Sequence, residues 1–206
     1  MKLANNLNVI LTCPRIAAIG LAILSLALSN CAYRMGERFA YGHARPLEPS
    51  NPGVKITRQG RELPYAQDLR LEQGDLISTS SDSCVVVWGK GSSGGVLLYP
   101  QAGIEIGSIR LLFGKMLAKV RGAFQVKSHS VTASVEGTIF LIEAKRADVV
   151  DLMVIEGAVR FASVTQSVVV TEGNRSIARG TQVGQPVRVD PRVVQAWRDQ
   201  ARTVFN

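Results

Sequence analysis

Along residues 131–144, V-T-A-S-V-E-G-T-I-F-L-I-E-A, the rhythm of hydrophobic and polar positions changes at a single glycine. Val131, Ala133 and Val135 alternate with Thr132, Ser134 and Glu136, the period-2 pattern of a half-buried strand. After Gly137, residues 138–142 place apolar side chains on both faces, as a strand covered on both sides does. A glycine between two such runs marks a bulge, a tight bend or a close backbone approach where a Cβ would collide. On that reading Gly137→Val costs on the order of 2–4 kcal/mol.

The same short-strand pattern runs through much of the chain. Apolar segments are expected at 75–80, 84–88, 95–99, 104–106, 109–113, 116–120, 124–126, 149–155, 158–164 and 168–171. Turn residues separate them, among them Gly74-Asp75, Pro100, Gly114, Gly122, Gly157, Gly173-Asn174 and Gly180. Many short strands with no helix between them predict an all-β fold, a rolled sandwich or a short β-solenoid. A weak internal echo points the same way: Glu136-Gly137, Glu156-Gly157 and Glu172-Gly173 each follow a strand, at intervals of 20 and 16 residues. Antiparallel hairpins would produce much the same echo.

The chain ends in a different period. Asp190-Pro191 is a helix start, an N-cap followed by proline at the first helical position. Val193/Val194, Trp197, Ala201 and Val204/Phe205 then recur at helical spacing. One amphipathic helix over 190–206 is expected to close an end or edge of the sheet.

The beginning reads as a targeting segment. Lys2 and Arg15 supply a positive n-region ahead of an uncharged apolar stretch of 14 residues, 16–29, shorter than the roughly 20 a membrane-spanning helix needs. Leu28-Ser29-Asn30-Cys31 follows and resembles the lipobox of bacterial lipoproteins, which makes Cys31 the expected lipid attachment site. Asn30 departs from the small residue usual there. Residues 1–30 are then a lipoprotein-type signal peptide. Residues 31–53, polar and carrying Pro46, Pro49 and Pro52, read as a tether, and 54–189 as the β domain.

Charge and cysteine use narrow the partners. The 206-residue chain carries a net +8; without 1–30 it has 22 Lys and Arg against 16 Asp and Glu, a net +6. An exported basic domain fits an envelope protein or an anionic envelope polymer as partner, besides the membrane reached through Cys31. No motif favours nucleic acid. Two histidines and three cysteines leave little for a metal site, and no cofactor is expected. Cys84, inside an apolar run, reads as an inert buried thiol.

The ordered motifs resemble the FecR protein domain. They are Gly74-Asp75-x-Ile77-x-Thr79, Gly122-x-Phe124-x-Val126, Val135-x-Gly137-Thr138-x-Phe140 and Glu156-Gly157-x-Val159, with the match extending over roughly 65–189. The resemblance implies a periplasmic all-β module. In the regulators that name the family, the domain senses an outer-membrane receptor and signals through a membrane helix to a sigma factor. Only 15 residues precede the apolar stretch here, so sigma-factor regulation by this chain alone is not expected. The expectation is an exported, lipid-anchored, periplasmic or outer-membrane-associated module that binds or assembles. The alternative is a sensory component working through a separate membrane partner.

Catalytic patterns are weak. Ser128-His129-Ser130 places neighbours on opposite faces of a strand, which does not make a dyad. The run 89–95, G-K-G-S-S-G-G, lacks the phosphate-loop order and the helix that would follow it. Glu136, Glu156 and Glu172 are explained by turns more simply than by acid–base work. No enzyme is expected.

Overall fold

The computed structural model describes residues 33–42, 53–89, 94–146 and 148–205. In chain order the strands are β1 (Tyr33–Ala40), β2 (Val54–Arg58), β3 (Arg61–Leu63), β4 (Arg70–Leu71), β5 (Leu76–Thr79) and β6 (Ser83–Gly89). Next come β7 (Gly94–Leu98), β8 (Gly103–Glu105), β9 (Arg110–Val120), β10 (Ala123–Ser128), β11 (Val131–Glu136) and β12 (Ile139–Lys145). The last are β13 (Val149–Glu156), β14 (Ala158–Ala162), β15 (Ser167–Thr171), β16 (Asn174–Arg179), β17 (Gln182–Val183) and β18 (Val187–Arg188), followed by helix α1 (Pro191–Phe205).

These strands lie in two layers. One runs β4, β1, β6, β7, the second half of β9, β12, β13 and β16, with β17 and β18 on its far side. The other runs β3, β2, β5, β8, the first half of β9, β10, β11, β14 and β15. Because β9 serves both, the strands make one continuous open sheet, rolled over but not closed into a barrel. The two segments expected at 109–113 and 116–120 are thus one strand that turns at Gly114. Among the described residues every pairing is antiparallel except the single parallel register of Lys127 with Arg110. A solenoid of stacked parallel coils is therefore replaced by hairpins that alternate between layers.

The Glu-Gly echo has a geometric meaning. At Gly137 the chain passes from β11 in one layer to β12 in the other, at Gly157 it returns from β13 to β14, and at Gly173 it crosses again to β16. The Thr138 hydroxyl donates to the Ala158 carbonyl at 3.1 Å, tying the first corner to the second. Gly137 itself has φ 63° but nothing within 4 Å of where a Cβ would stand. The expected collision is absent, and only the left-handed backbone penalises a side chain there. Gly137→Val is therefore expected to cost about 1–3 kcal/mol, and Gly137→Asn less than about 1 kcal/mol, read as urea midpoints. An asparagine variant as unstable as the valine one would sink that account.

Alternation sorts the core into two compartments. Val85, Val87, Val96, Leu98, Met116, Phe140, Ile142, Leu152 and Val154 point between the layers, where they meet Ile104, Val126, Val135, Val159 and Phe161. Their neighbours Cys84, Val86, Leu97, Leu117, Ile139, Met153 and Ile155 point outward, under α1. The second run of the sequence pattern is covered on both sides because α1 supplies the second cover. Asp190 caps it, its carboxylate accepting from Arg192 N–H at 2.8 Å. Val194 and Ala201 are buried, and Trp197, Val204 and Phe205 pack against the same compartment. The helix thus lies on a face of the sheet, across β7, β9 and β13, not on an end or edge.

Residues 33–40 also depart from expectation. They are a sheet strand rather than tether, paired with β6 and β4, with Met35 fully buried. The register shifts between Met35 and Arg38, so a bulge at Gly36-Glu37 interrupts the alternation that would have marked the strand.

Candidate functional site

The family-motif residues are placed at corners and in the core. Gly74 donates its N–H to the Ile106 carbonyl at 2.8 Å. Asp75 is fully buried and receives Arg58 Nε and Nη2, each at 2.8 Å, plus the Glu72 N–H at 2.8 Å. Val135 and Phe140 fill the inner compartment, and Gly157 turns the chain against Gly137 and Thr138. Cys31 lies outside the described residues.

The catalytic candidates do not converge. Ser128 Oγ is buried and donates to the Leu111 carbonyl at 3.0 Å; Ser130 Oγ donates to the Gly180 carbonyl at 2.6 Å. His129 occupies the turn between them with Nδ1 3.5 Å from Asp148 Oδ1, and neither serine is bonded to the ring. Cys84 sits under the helix, where burial pushes its thiol up to about 12. Glu136, Glu156 and Glu172 are exposed at the layer corners, and Glu172 accepts from Arg198 at 2.7 Å. Residues 90–93 of the glycine-rich run lie outside the described residues, between two paired strands.

A site does form on the outer face of the helix-bearing layer, beside α1. Cross-strand register sets Lys115 of β9, Glu143 of β12, Asp151 of β13 and Ile177 of β16 in one row. Arg175 and Arg179 flank that row on β16, while Lys145 closes it on β12. Two cavities meet here, sharing Lys115, Glu143 and Lys145. The first, about 580 Å³, runs towards Arg179, Arg188, Val193 and Trp197. The second, about 790 Å³, runs towards Tyr41, Phe113, His129 and Arg146. Together they form an open furrow, floored by strands where they meet, with turns carrying Tyr41, Pro100, Gln101, His129 and Arg146 lining much of the second. Trp197 and Tyr99 meet edge to face at 5.7 Å, and Lys115 Nζ lies 5.9 Å from the Trp197 ring centre.

At the middle of the furrow Asp151 accepts from Lys145 Nζ at 2.8 Å, from Arg175 Nε at 2.6 Å and from Arg175 Nη2. Burial pushes this carboxyl up, but the hydrogen bonds from Arg175 and Lys145 outweigh it and hold the group below its ordinary value. The hydrogen bond to Asp151 holds Lys145 above its ordinary value. For a depressed carboxylate, the stability it contributes is complete above the usual carboxylate range and lost as pH falls through and below it. The melting temperature is expected to fall on acidification, and Asp151→Asn to lower the neutral plateau while flattening the acid limb. Thermal melts from about pH 2 to about pH 8 check this. An unchanged acid limb in the variant would rule out Asp151 as its source.

None of the furrow's charged residues was singled out in the sequence. They come from four strands, and only the register brings 115, 143, 151 and 175–179 together. The available signal was Arg175-x-Ile177-x-Arg179, basic residues at period 2.

The molecule is thus a two-layer β protein whose layers are joined by glycine corners and one shared strand. Residues 66–160 match the family model described as FecR protein. No curated protein matches the sequence. The fold is similar to the crystal structure of a candidate anti-sigma factor from Parabacteroides distasonis ATCC 8503, at 15% identity and a TM-score of 0.50. The likeness covers 59% of this chain and 63% of that one. A second crystal structure of a candidate anti-sigma factor from that organism matches at 19% identity and TM-score 0.42, over 50% of this chain and 55% of that one. This chain spans less than two thirds of either, and the likeness to the first is one of fold.

Proposed function

We propose that this protein is an exported, non-catalytic binding module of the bacterial cell envelope, held to a membrane by a lipid on Cys31. The furrow carries the reading: it is open, basic and floored by strands at its middle, and the side chains in it are charged and aromatic rather than a nucleophile with its base. The FecR domain agrees with an envelope setting, and the apolar stretch before Cys31 with export. Intact mass and membrane fractionation, beside a Cys31→Ser control, test the anchoring. A chain beginning at Cys31 with added acyl mass, lost in the control, is expected. An unmodified chain that keeps residues 1–30 would remove the lipid anchor.

A second reading is a sensory component of an envelope signalling system acting through a separate membrane protein. The FecR domain and the fold shared with a candidate anti-sigma factor favour it. Transcript profiling of a deletion strain separates the two: altered expression of a receptor regulon supports signalling, and an unchanged profile supports the binding module.

A further inference from the structure

We propose that the furrow binds a carboxylated polysaccharide, one chain lying along both cavities. This rests on the reading of the protein as an exported binding module and names its ligand class. Three observations carry it.

The first is shape. Two open cavities joined at Lys115, Glu143 and Lys145 make an elongated trough, which suits a chain better than a compact metabolite.

The second is charge. Lys115, Lys145, Arg146, Arg175, Arg179 and Arg188 line the trough against Glu143 and Asp151, an excess of four positive charges. Lys145 and Arg175 are held by Asp151, whereas Arg146, Arg179 and Arg188 have no ion pair among the described residues. Arg179 and Arg188 line the first cavity and Arg146 the second, so both cavities carry such a guanidinium, as repeated anionic units along a polymer require. Each can take a carboxylate through two parallel N–H donors.

The third is the aromatic lining. Tyr41 is 58% and Phe113 47% exposed in one cavity, and Trp197 lines the other. Flat apolar rings in water between cations are platforms for the C–H face of a sugar ring.

An acidic protein segment fits less well. The central walls are sheet faces whose backbone groups are spent on cross-strand pairs, so they offer an extended peptide no edge to join. An amphipathic helix would need an unbroken apolar groove, and the row Glu143–Asp151 with Lys145 and Arg175 interrupts it. Arg175, Arg179, Arg188 and Trp197 also lie beyond residue 160, outside the stretch that matches the family model.

The test is affinity electrophoresis of the full chain through gels holding polygalacturonate, neutral dextran or poly-L-glutamate. Polygalacturonate is expected to retard the protein, less so at high salt, and dextran to leave it unmoved. Arg179→Gln with Arg188→Gln should weaken binding by about tenfold or more. Phe113→Ser should weaken it with both arginines intact. Arg179 and Arg188 are exposed and have no ion pair among the described residues, Phe113 is 47% exposed with its ring over Gly103, and an unchanged melting temperature shows that the fold survives.

No retardation by polygalacturonate would overturn the proposal. So would equal binding of poly-L-glutamate, lost in the same variants, which would mark an acidic polypeptide site. Equal retardation by dextran would remove the role of charge. New reducing ends on incubation with polygalacturonate would instead overturn the non-catalytic reading, whether or not the gels show binding. Loss of binding in a protein still anchored through Cys31 would leave the envelope reading standing.

Discussion

Gly114→Ala is expected to destabilise the protein by about 3–5 kcal/mol and to lower its melting temperature by roughly 10 °C. Gly114 is the point where β9 leaves one layer and enters the other, with φ 79°. A Cβ there would stand 2.3 Å from the Gln101 carbonyl oxygen and 2.5 Å from Ala102 Cα. Both are backbone atoms of the adjacent corner, so no side chain can swing away. The left-handed backbone penalty and the overlap therefore add. Gly137→Ala is the internal control: it carries the same kind of φ in open space and should cost only about 1 kcal/mol. Urea unfolding of the two variants side by side is the measurement. Equal losses would mean that the crossing of β9 is not the crowded joint described above.

Arg58→Ala is the second large effect, at about 3–5 kcal/mol. The substitution strands the Asp75 carboxylate, whose side chain is 1% exposed, with the Glu72 N–H as its remaining direct donor among the described residues. It also releases Glu72, which accepts from Arg58 Nη1 at 2.6 Å, and the Arg70 carbonyl, which accepts from Nη2 at 3.0 Å. That one guanidinium gathers β2, β4 and the corner before β5. The penalty belongs mostly to the orphaned charge. Arg58→Met combined with Asp75→Asn, which leaves no buried ion, should therefore recover at least about 1.5 kcal/mol relative to Arg58→Ala. If the double variant is as unstable as the single one, the loss lies in packing of the arginine stem and not in the buried carboxylate.

How far the sequence disclosed this molecule differs from part to part. The alternation of Val131, Ala133 and Val135 and the two-faced run after Gly137 correspond to β11 and β12, one half covered by its layer and one covered also by α1. Asp190-Pro191 announced the helix because capping is local chemistry. The three Glu-Gly pairs were visible as an echo, yet a change of layer leaves no mark beyond a turn residue, so their role as corners was not. β1 escaped because its bulge breaks the period-2 pattern, and β9 read as two strands because Gly114 looks like a turn. The furrow escaped for a different reason. Its row of Lys115, Glu143, Asp151 and Ile177 is set by register between strands distant in sequence, and no window along the chain contains it.

The place where β1 begins bears on how the protein sits on a surface. Ala32 alone separates Cys31 from Tyr33, the first residue of the strand. Two residues of extended chain reach at most about 7 Å. On the reading that Cys31 carries lipid, the domain is moored hard against the headgroups instead of drifting on a leash. The first strands to touch them present Arg34 facing Arg70 across the β1–β4 pair, both exposed. On that reading, such a mooring restricts the tilt of the whole β body relative to the bilayer.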